Sequence, residues 1–153
     1  MSRYDNGPIK VELSLDVAAY ADGDLLCQAV EVPSVCVENY PAFLESVTVL
    51  DYDDQGGAIT LVFFDQNPGS LGAVNAAMAI SDAQAEMVLC VVEVASGDYT
   101  DLGDQQIGQP EFYPRKLRPA DGGTSVWVAG KAGAASTYAS GKALLRIGTV
   151  RDQ

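Results

Sequence analysis

Apolar and polar residues alternate along much of the chain with a period of two, the period of a β-strand. The alternation is most regular in residues 11–17, where the odd-numbered positions from Val11 to Val17 are apolar. The same pattern predicts further strands at residues 25–32, 47–52, 58–64, 87–94, 125–130 and 143–150. Seven or eight strands in total indicate a mainly β protein.

Two of these stretches are predicted to form a β-hairpin. Residues 47–52 and 58–64 are separated by a short polar segment that ends in Gly56 and Gly57. Glycine adopts positive φ without steric cost, so such a segment is typical of a tight turn between antiparallel strands.

Residues 59–64 are apolar at nearly every position, and so are residues 87–94. A strand of this kind has both faces covered. We therefore expect each of the two to lie between the core and a second layer, formed either by the same chain or by a neighbouring subunit.

One short helix is predicted near residues 81–87. Ser81 can cap its first turn, and Gln84 stands three residues later, where a reciprocal capping partner belongs. The sequence thus predicts a single-domain antiparallel β-sandwich or barrel, jelly-roll-like, over residues 11–153. Residues 1–10 are predicted to be a flexible N-terminal arm.

Charge and composition argue against several classes of function. The chain has 153 residues, the size of one domain, 48% of them hydrophobic, and a net charge of −12. Such a charge disfavours binding to nucleic acid or to an anionic membrane, because both require clustered Lys and Arg. The apolar runs are too short for a signal peptide or a membrane span. We therefore expect synthesis in a cytoplasm.

The absence of histidine excludes several kinds of site. With no histidine in the sequence, Ser-His-Asp and Cys-His catalysis and His-ligated metal sites cannot form within one chain. Cys27, Cys36 and Cys90 are odd in number and have no C-x-x-C spacing. They are predicted to be buried and reduced; one bridge between Cys27 and Cys36 is the alternative.

The segment 51–56 imitates the start of an EF-hand calcium loop. Asp51, Asp53 and Gln55 occupy its first, third and fifth positions, followed by a glycine. Position 12 should be a bidentate Glu and is Val62 instead. We interpret the segment as an acidic turn, with a weak calcium site as the alternative, and predict no catalytic residue, cofactor or metal.

Basic residues are concentrated late in the chain. Residues 1–110 contain 2 basic and 18 acidic side chains, whereas residues 111–153 contain 7 basic and 3 acidic side chains. Arg115, Lys116 and Arg118 form the tightest basic group. Either the fold mixes these charges in space, or they form complementary faces that steer docking. Trp127, the one tryptophan, is either an interface anchor or a core residue.

Several segments resemble small structural proteins of tailed bacteriophages. They are the hairpin segment 47–65, the stretch from Ile80 to Val94, the segments 96–103 and 120–125, and residues 145–152. Together they span nearly the whole chain from residue 10 onward. The protein resembles the head decoration, or cement, proteins of these phages.

The resemblance implies a non-enzymatic virion protein on the outer surface of the capsid. Its partner would be the major capsid protein, and it would form a homo-oligomer, with a trimer favoured. Candidate partner contacts are Arg3 and Tyr4 in the arm, together with Arg115, Lys116, Arg118 and Trp127. The alternative function is a tail or fibre part, or a carbohydrate-binding β-sandwich module.

Overall fold

The computed structural model describes residues 3–5 and 7–152. They form eleven strands and one short helix, with two 3₁₀ turns at Ser96–Asp98 and Ala120–Gly122. The strands are β1 (Arg3–Asp5), β2 (Ile9–Ser14), β3 (Leu25–Val32), β4 (Ala42–Asp51), β5 (Ile59–Phe64), β6 (Val88–Val94), β7 (Tyr99–Asp101), β8 (Gln106–Gly108), β9 (Arg115–Leu117), β10 (Val126–Ala132) and β11 (Lys142–Asp152). The helix α1 is Asp82–Ala85.

The strands form two antiparallel sheets. The larger sheet has the order β1–β11–β4–β8–β7, with β2 also paired to β11 and β9 to β4; the smaller sheet has the order β3–β10–β5–β6. Within these sheets, one set of pairs is nested along the chain: β2 with β11, β3 with β10, β4 with β8 and β9, and β5 with β6. This nested pairing is a jelly-roll sandwich, which confirms the predicted fold class.

The main core lies between the two sheets, because each strand directs alternate side chains inward. In β2, Val11 and Leu13 are buried, whereas Lys10, Glu12 and Ser14 are exposed. The largest fully buried side chains of this core are Leu13, Tyr20, Leu26, Leu44, Leu61, Phe63, Leu117, Leu145 and Ile147. The alternation read from the sequence therefore identifies the inward face of the strands.

A second apolar cluster lies on the outer face of the smaller sheet. Residues 65–87, which we call the cover segment, bring Leu71, Met78 and Met87 against Val62 and Phe64. Strand β5 thus has both faces covered, as predicted, and the second layer comes from the same chain. Strand β6 is less covered, since Val91 is 44% exposed.

The cover segment is fixed by side-chain hydrogen bonds. Gln28 Nε2 donates to the carbonyl oxygen of Gly72 at 2.6 Å, and its Oε1 accepts from the N–H of Leu71 at 3.0 Å. Gln84 Nε2 donates to the carbonyl oxygens of Pro68 and Ser70. These bonds hold the apolar residues of the segment over the sheet.

The predicted capping box is present at α1. Ser81 Oγ accepts from the N–H of Gln84 at 3.2 Å, and Gln84 Oε1 accepts from the N–H of Ser81 at 2.9 Å. The helix ends at Ala85, because the strand pattern resumes at Val88.

The predicted hairpin of residues 47–64 is wrong. Strand β4 belongs to the larger sheet and β5 to the smaller one, so the two do not pair. Gly56 does adopt φ +57 in the connection. A turn between two sheets needs the same backbone chemistry as a hairpin turn, and local sequence does not distinguish them.

Some strand boundaries also differ from the prediction. Strand β2 ends at Ser14, and Val17 is 60% exposed rather than inward-facing. Strand β4 begins at Ala42, five residues earlier than predicted. The short strands β7, β8 and β9 were not predicted, because three residues are too few to show a period.

The predicted arm, residues 1–10, contains secondary structure. Residues 3–5 pair with residues 150–152 of β11, and β2 begins at Ile9. The predicted boundary at residue 10 therefore falls inside a strand. The flexibility of the arm stays a prediction.

The cysteines are free and buried, as predicted. Burial raises the pKa of the Cys27 thiol to about 12 and that of Cys90 to about 11.

Over the described ranges, no helix is long and apolar enough to cross a bilayer.

Candidate interaction surface

The predicted basic group does not form one patch. In β9, Leu117 pairs with Ala42 and both are buried, so Lys116, one residue earlier, is directed to the outer face of the larger sheet beside Phe43. Arg115 is directed the opposite way and lies close enough to Cys90 of β6 to lower the pKa of that thiol slightly against the effect of burial. The alternation of the strand thus separates two of the three cations.

Arg118 lies just beyond β9. It lines a cavity of about 30 Å³ together with Asn39, Tyr40 and Pro119. A cavity of this size holds at most a few water molecules, so we assign no organic ligand to it.

Trp127 lies in β10, beside Phe64 of β5 and Glu31 of β3. It is partly buried and packs against the cluster under the cover segment. Arg3 and Tyr4 are strand residues of β1, and their side chains lie outside the described part of the chain.

A different set of cations shares the outer face of the larger sheet. Lys10 of β2 pairs with Arg146 of β11, which pairs in turn with Thr48 of β4. Four residues before Arg146 in β11, Lys142 pairs with Ser14 on the same side of the sheet. Directly paired antiparallel residues point to the same side of a sheet. With Lys116, these residues place four of the nine basic side chains of the chain on one face.

An aliphatic row crosses the middle of this face. Leu144 pairs with Leu50, and Leu50 pairs with Ile107 of β8; each side chain is half-buried. Beside this row, the exposed carboxylate of Glu12 in β2 pairs with Leu144 and is an acidic group on the same face. We call the surface made by Lys10, Leu50, Ile107, Lys116, Lys142, Leu144 and Arg146 the basic face.

The basic face is accessible to solvent, in contrast to the outer face of the smaller sheet. Lys10, Lys116, Lys142 and Arg146 are exposed, whereas Val62 and Phe64 on the other outer face are buried under the cover segment. In a chain of net charge −12, a face with four cations is the surface best suited to an acidic partner. The late basic residues as a whole are divided between surfaces, since Lys131 lies on the outer face of the smaller sheet.

Lys142 contacts an aromatic ring at this face. Its Nζ lies 5.0 Å from the centre of the Tyr52 ring. A cation above an aromatic ring is attracted by the negative charge of the ring face, which restrains the long side chain.

The acidic turn at residues 51–56 is a structural connector. The buried carboxylate of Asp51 accepts from the N–H groups of Asp53, Gln55 and Gly56 at 2.8–2.9 Å. Both oxygens are thus occupied by donors, an arrangement that repels a cation. Among the described residues no group of three or more acids and cysteines is arranged to hold a metal ion.

The other side chains of this turn attach it to neighbouring loops. Asp53 accepts from the N–H of Ser140 at 2.9 Å and from its hydroxyl at 2.6 Å. Gln55 Oε1 accepts from the N–H of Thr137 at 3.0 Å. Two of the residues that imitate a calcium loop, Asp53 and Gln55, therefore position the connection between β10 and β11.

The sequence-based list of candidate contacts contained one member of the basic face, Lys116. The outward direction of Lys142 and Arg146 was readable from the sequence, because both alternate with inward apolar residues of a predicted strand. Their proximity to Lys10 was not readable, since it depends on the pairing of β2 with β11.

No protein-family model matches this chain, and neither does any curated protein. Among solved structures, the chain is similar to a chain of the native virion of Kashmir bee virus at neutral pH. The two have 12% sequence identity and a TM-score of 0.38, and the match covers 98% of this chain and 71% of that one. The fold described above rests on the strand pairing of this chain itself.

Proposed function

We propose that this protein is a non-enzymatic structural component of a tailed-phage virion that binds the outer surface of the capsid and stabilises it. The partner would be the major capsid protein, and the protein would be made in the cytoplasm of the bacterial host. The resemblance of the sequence to phage decoration proteins supports the virion role. The basic face supports the mode of binding.

The basic face suits an acidic protein surface. Its central row of Leu50, Ile107 and Leu144 supplies apolar area to bury, and the surrounding cations supply charge complementarity. A protein that binds the assembled shell and not its free subunits stabilises the shell by mass action. This function requires no catalytic group.

The first test is fractionation of phage particles from the native source on a density gradient, with quantitative peptide mass spectrometry of the particle band. Decoration predicts that this chain migrates with the particles at a copy number near that of the capsid subunit. A few copies per particle would indicate a tail or fibre part instead. Absence from the particle band would overturn the virion role.

The second test assigns the surface. Particles depleted of this protein are mixed with purified wild type, with Arg146→Glu, or with the matched control Lys131→Glu, which reverses a charge on the outer face of the smaller sheet. Binding should fall at least tenfold for Arg146→Glu and remain near wild type for Lys131→Glu. Equal binding by all three proteins would exclude the basic face.

A further inference from the structure

Strand β6 is an edge strand whose second side has no partner. Within residues 3–5 and 7–152 it pairs with β5, and no other strand pairs with it. It contains no proline and no lysine, and Glu93 is its one charged residue. Natural edge strands usually carry such residues to prevent pairing with another chain.

The backbone hydrogen bonds of β5 show which groups of β6 are unpaired. The N–H of Gly133 donates to the carbonyl oxygen of Ala58, so the even-numbered residues of β5 direct their backbone groups toward β10. The odd-numbered residues then face β6, and they stand opposite Cys90, Val92 and Val94. The N–H and C=O groups of Val91 and Glu93 are therefore directed to the open edge.

Apolar side chains adjoin this edge on the outer face of the smaller sheet. Val91 is 44% exposed and Ile80 is 38% exposed. With Val62 and Met78 they line a shallow groove of about 410 Å³. The open backbone groups and the exposed apolar surface are thus continuous.

We propose that two copies of this chain associate by antiparallel pairing of their β6 strands, about a twofold axis at Val92. The two smaller sheets then form one continuous eight-stranded sheet. This inference is independent of the capsid proposal, because it rests on the edge of the smaller sheet and not on the basic face.

The register follows from the hydrogen-bond directions and the charge. With the axis at Val92, Val91 of each copy stands opposite Glu93 of the other, so every unpaired group of these two residues finds a partner. With the axis at Glu93, the two carboxylates would face each other, which is unfavourable. With the axis at Val91, each Glu93 would face Leu89, which lies in the bulge between Cys90 and Val88 and cannot pair regularly.

The inner face of the strand also suits this register. Val92 would lie opposite Val92 of the other copy, and Cys90 would lie opposite Val94 of the other copy. All three are buried apolar residues of the core. The β6 side chains of this contact are therefore apolar on the inner face, where the Arg115 guanidinium of β9 lies near Cys90. Each Glu93 faces a valine on the outer face.

Disulfide trapping tests the register. An antiparallel hydrogen-bonded pair has Cα atoms about 5.5 Å apart, a distance that a disulfide spans. Oxidation of a mixture of Val91→Cys and Glu93→Cys proteins should give the cross-linked heterodimer, and each variant alone should give little. Cross-linking of Val91→Cys alone or of Glu93→Cys alone would overturn this register, and no cross-linking in the mixture would overturn the pairing.

Sedimentation equilibrium tests the association itself. The wild type should have twice the monomer mass of 16.1 kDa. Val91→Glu places a carboxylate opposite Glu93 of the other copy and should weaken the dimer at least tenfold. The matched control Val17→Glu adds the same charge at an exposed valine in the loop after β2 and should dimerise as the wild type does. A monomer at all concentrations, or the trimer implied by the resemblance to decoration proteins, would overturn the proposal.

Salt distinguishes this contact from the capsid contact. Two chains of net charge −12 repel each other, so screening by salt should strengthen β6 pairing. Binding of the basic face to an acidic shell should weaken under the same conditions. Failure of shell binding with intact dimers would therefore reject the capsid proposal alone.

Discussion

The buried carboxylate of Asp51 accepts a hydrogen bond of 2.8 Å from the backbone N–H of Gly56, five residues later in the chain. The same oxygen also accepts from Gln55, and the other oxygen accepts from Asp53. One side chain thus closes the connection between the two sheets, at the position where the sequence imitates a calcium loop.

Replacement of Asp51 by alanine should therefore destabilise the protein. Three N–H groups would lose a charged acceptor at a buried site, with a cost of about 3 kcal/mol in the free energy of unfolding. The control is Asp101→Ala, because exposed Asp101 accepts one bond, from the N–H of Gly103 at 2.8 Å, and its loss should cost less than about 1 kcal/mol. Urea denaturation measures both, and equal costs would contradict the role given to Asp51.

The cover segment should contribute strongly to stability through Leu71. This side chain is fully buried on the outer face of the smaller sheet, so Leu71→Ala should cost about 2–5 kcal/mol. Leu102 is 62% exposed, and Leu102→Ala should change the free energy of unfolding by less than about 0.5 kcal/mol. Urea denaturation measures the free energy of unfolding of both variants. A small loss for Leu71→Ala would mean that the cover segment is loosely held.

Gly57 should not tolerate a larger side chain. A Cβ atom at this position would overlap the hydroxyl oxygen of Ser136, so Gly57→Ala should lower the melting temperature by several degrees. The double variant Gly57→Ala with Ser136→Ala removes that oxygen and should recover part of the loss. A double variant less stable than the single one would show that the overlap is not the cause.

Stability should fall at alkaline pH. Burial raises the pKa of Tyr138 to about 12, and it also raises the pKa values of the Cys27 and Cys90 thiols. The unfolded chain releases these protons near their ordinary pKa values, about 8.5 for Cys and about 10 for Tyr. Below about pH 8 these groups leave stability unchanged, and from about pH 9 to pH 12 the unfolded state is increasingly favoured.

Tyr138→Phe checks this pH dependence. The variant lacks one of the protons that the folded state retains, so above about pH 10 its stability should fall less steeply than that of the wild type, by at most about 1.4 kcal/mol per pH unit. Urea midpoints measured at several pH values give both slopes. Parallel slopes would show that Tyr138 does not contribute.

Which strands exist was largely readable from the sequence. Residues 25–32 form β3 with the predicted boundaries, and Ser81 with Gln84 forms the predicted capping box. Both features depend on short-range relationships, namely the opposite directions of successive side chains and hydrogen bonds between residues three apart. Such relationships are present in any window of a few residues.

Which strands pair was decided by the tertiary structure. The turn at Gly56 is compatible with a hairpin, but β4 pairs with β11 and β5 pairs with β10, nearly a hundred and about seventy residues away. The free energy of these pairings comes from burying the two inner faces against each other, and that depends on the whole chain. For the same reason, Lys10, Lys142 and Arg146 form one surface only in the folded protein. The sequence determined that each side chain points outward from its strand. The pairing of β2 with β11 brought the three side chains together.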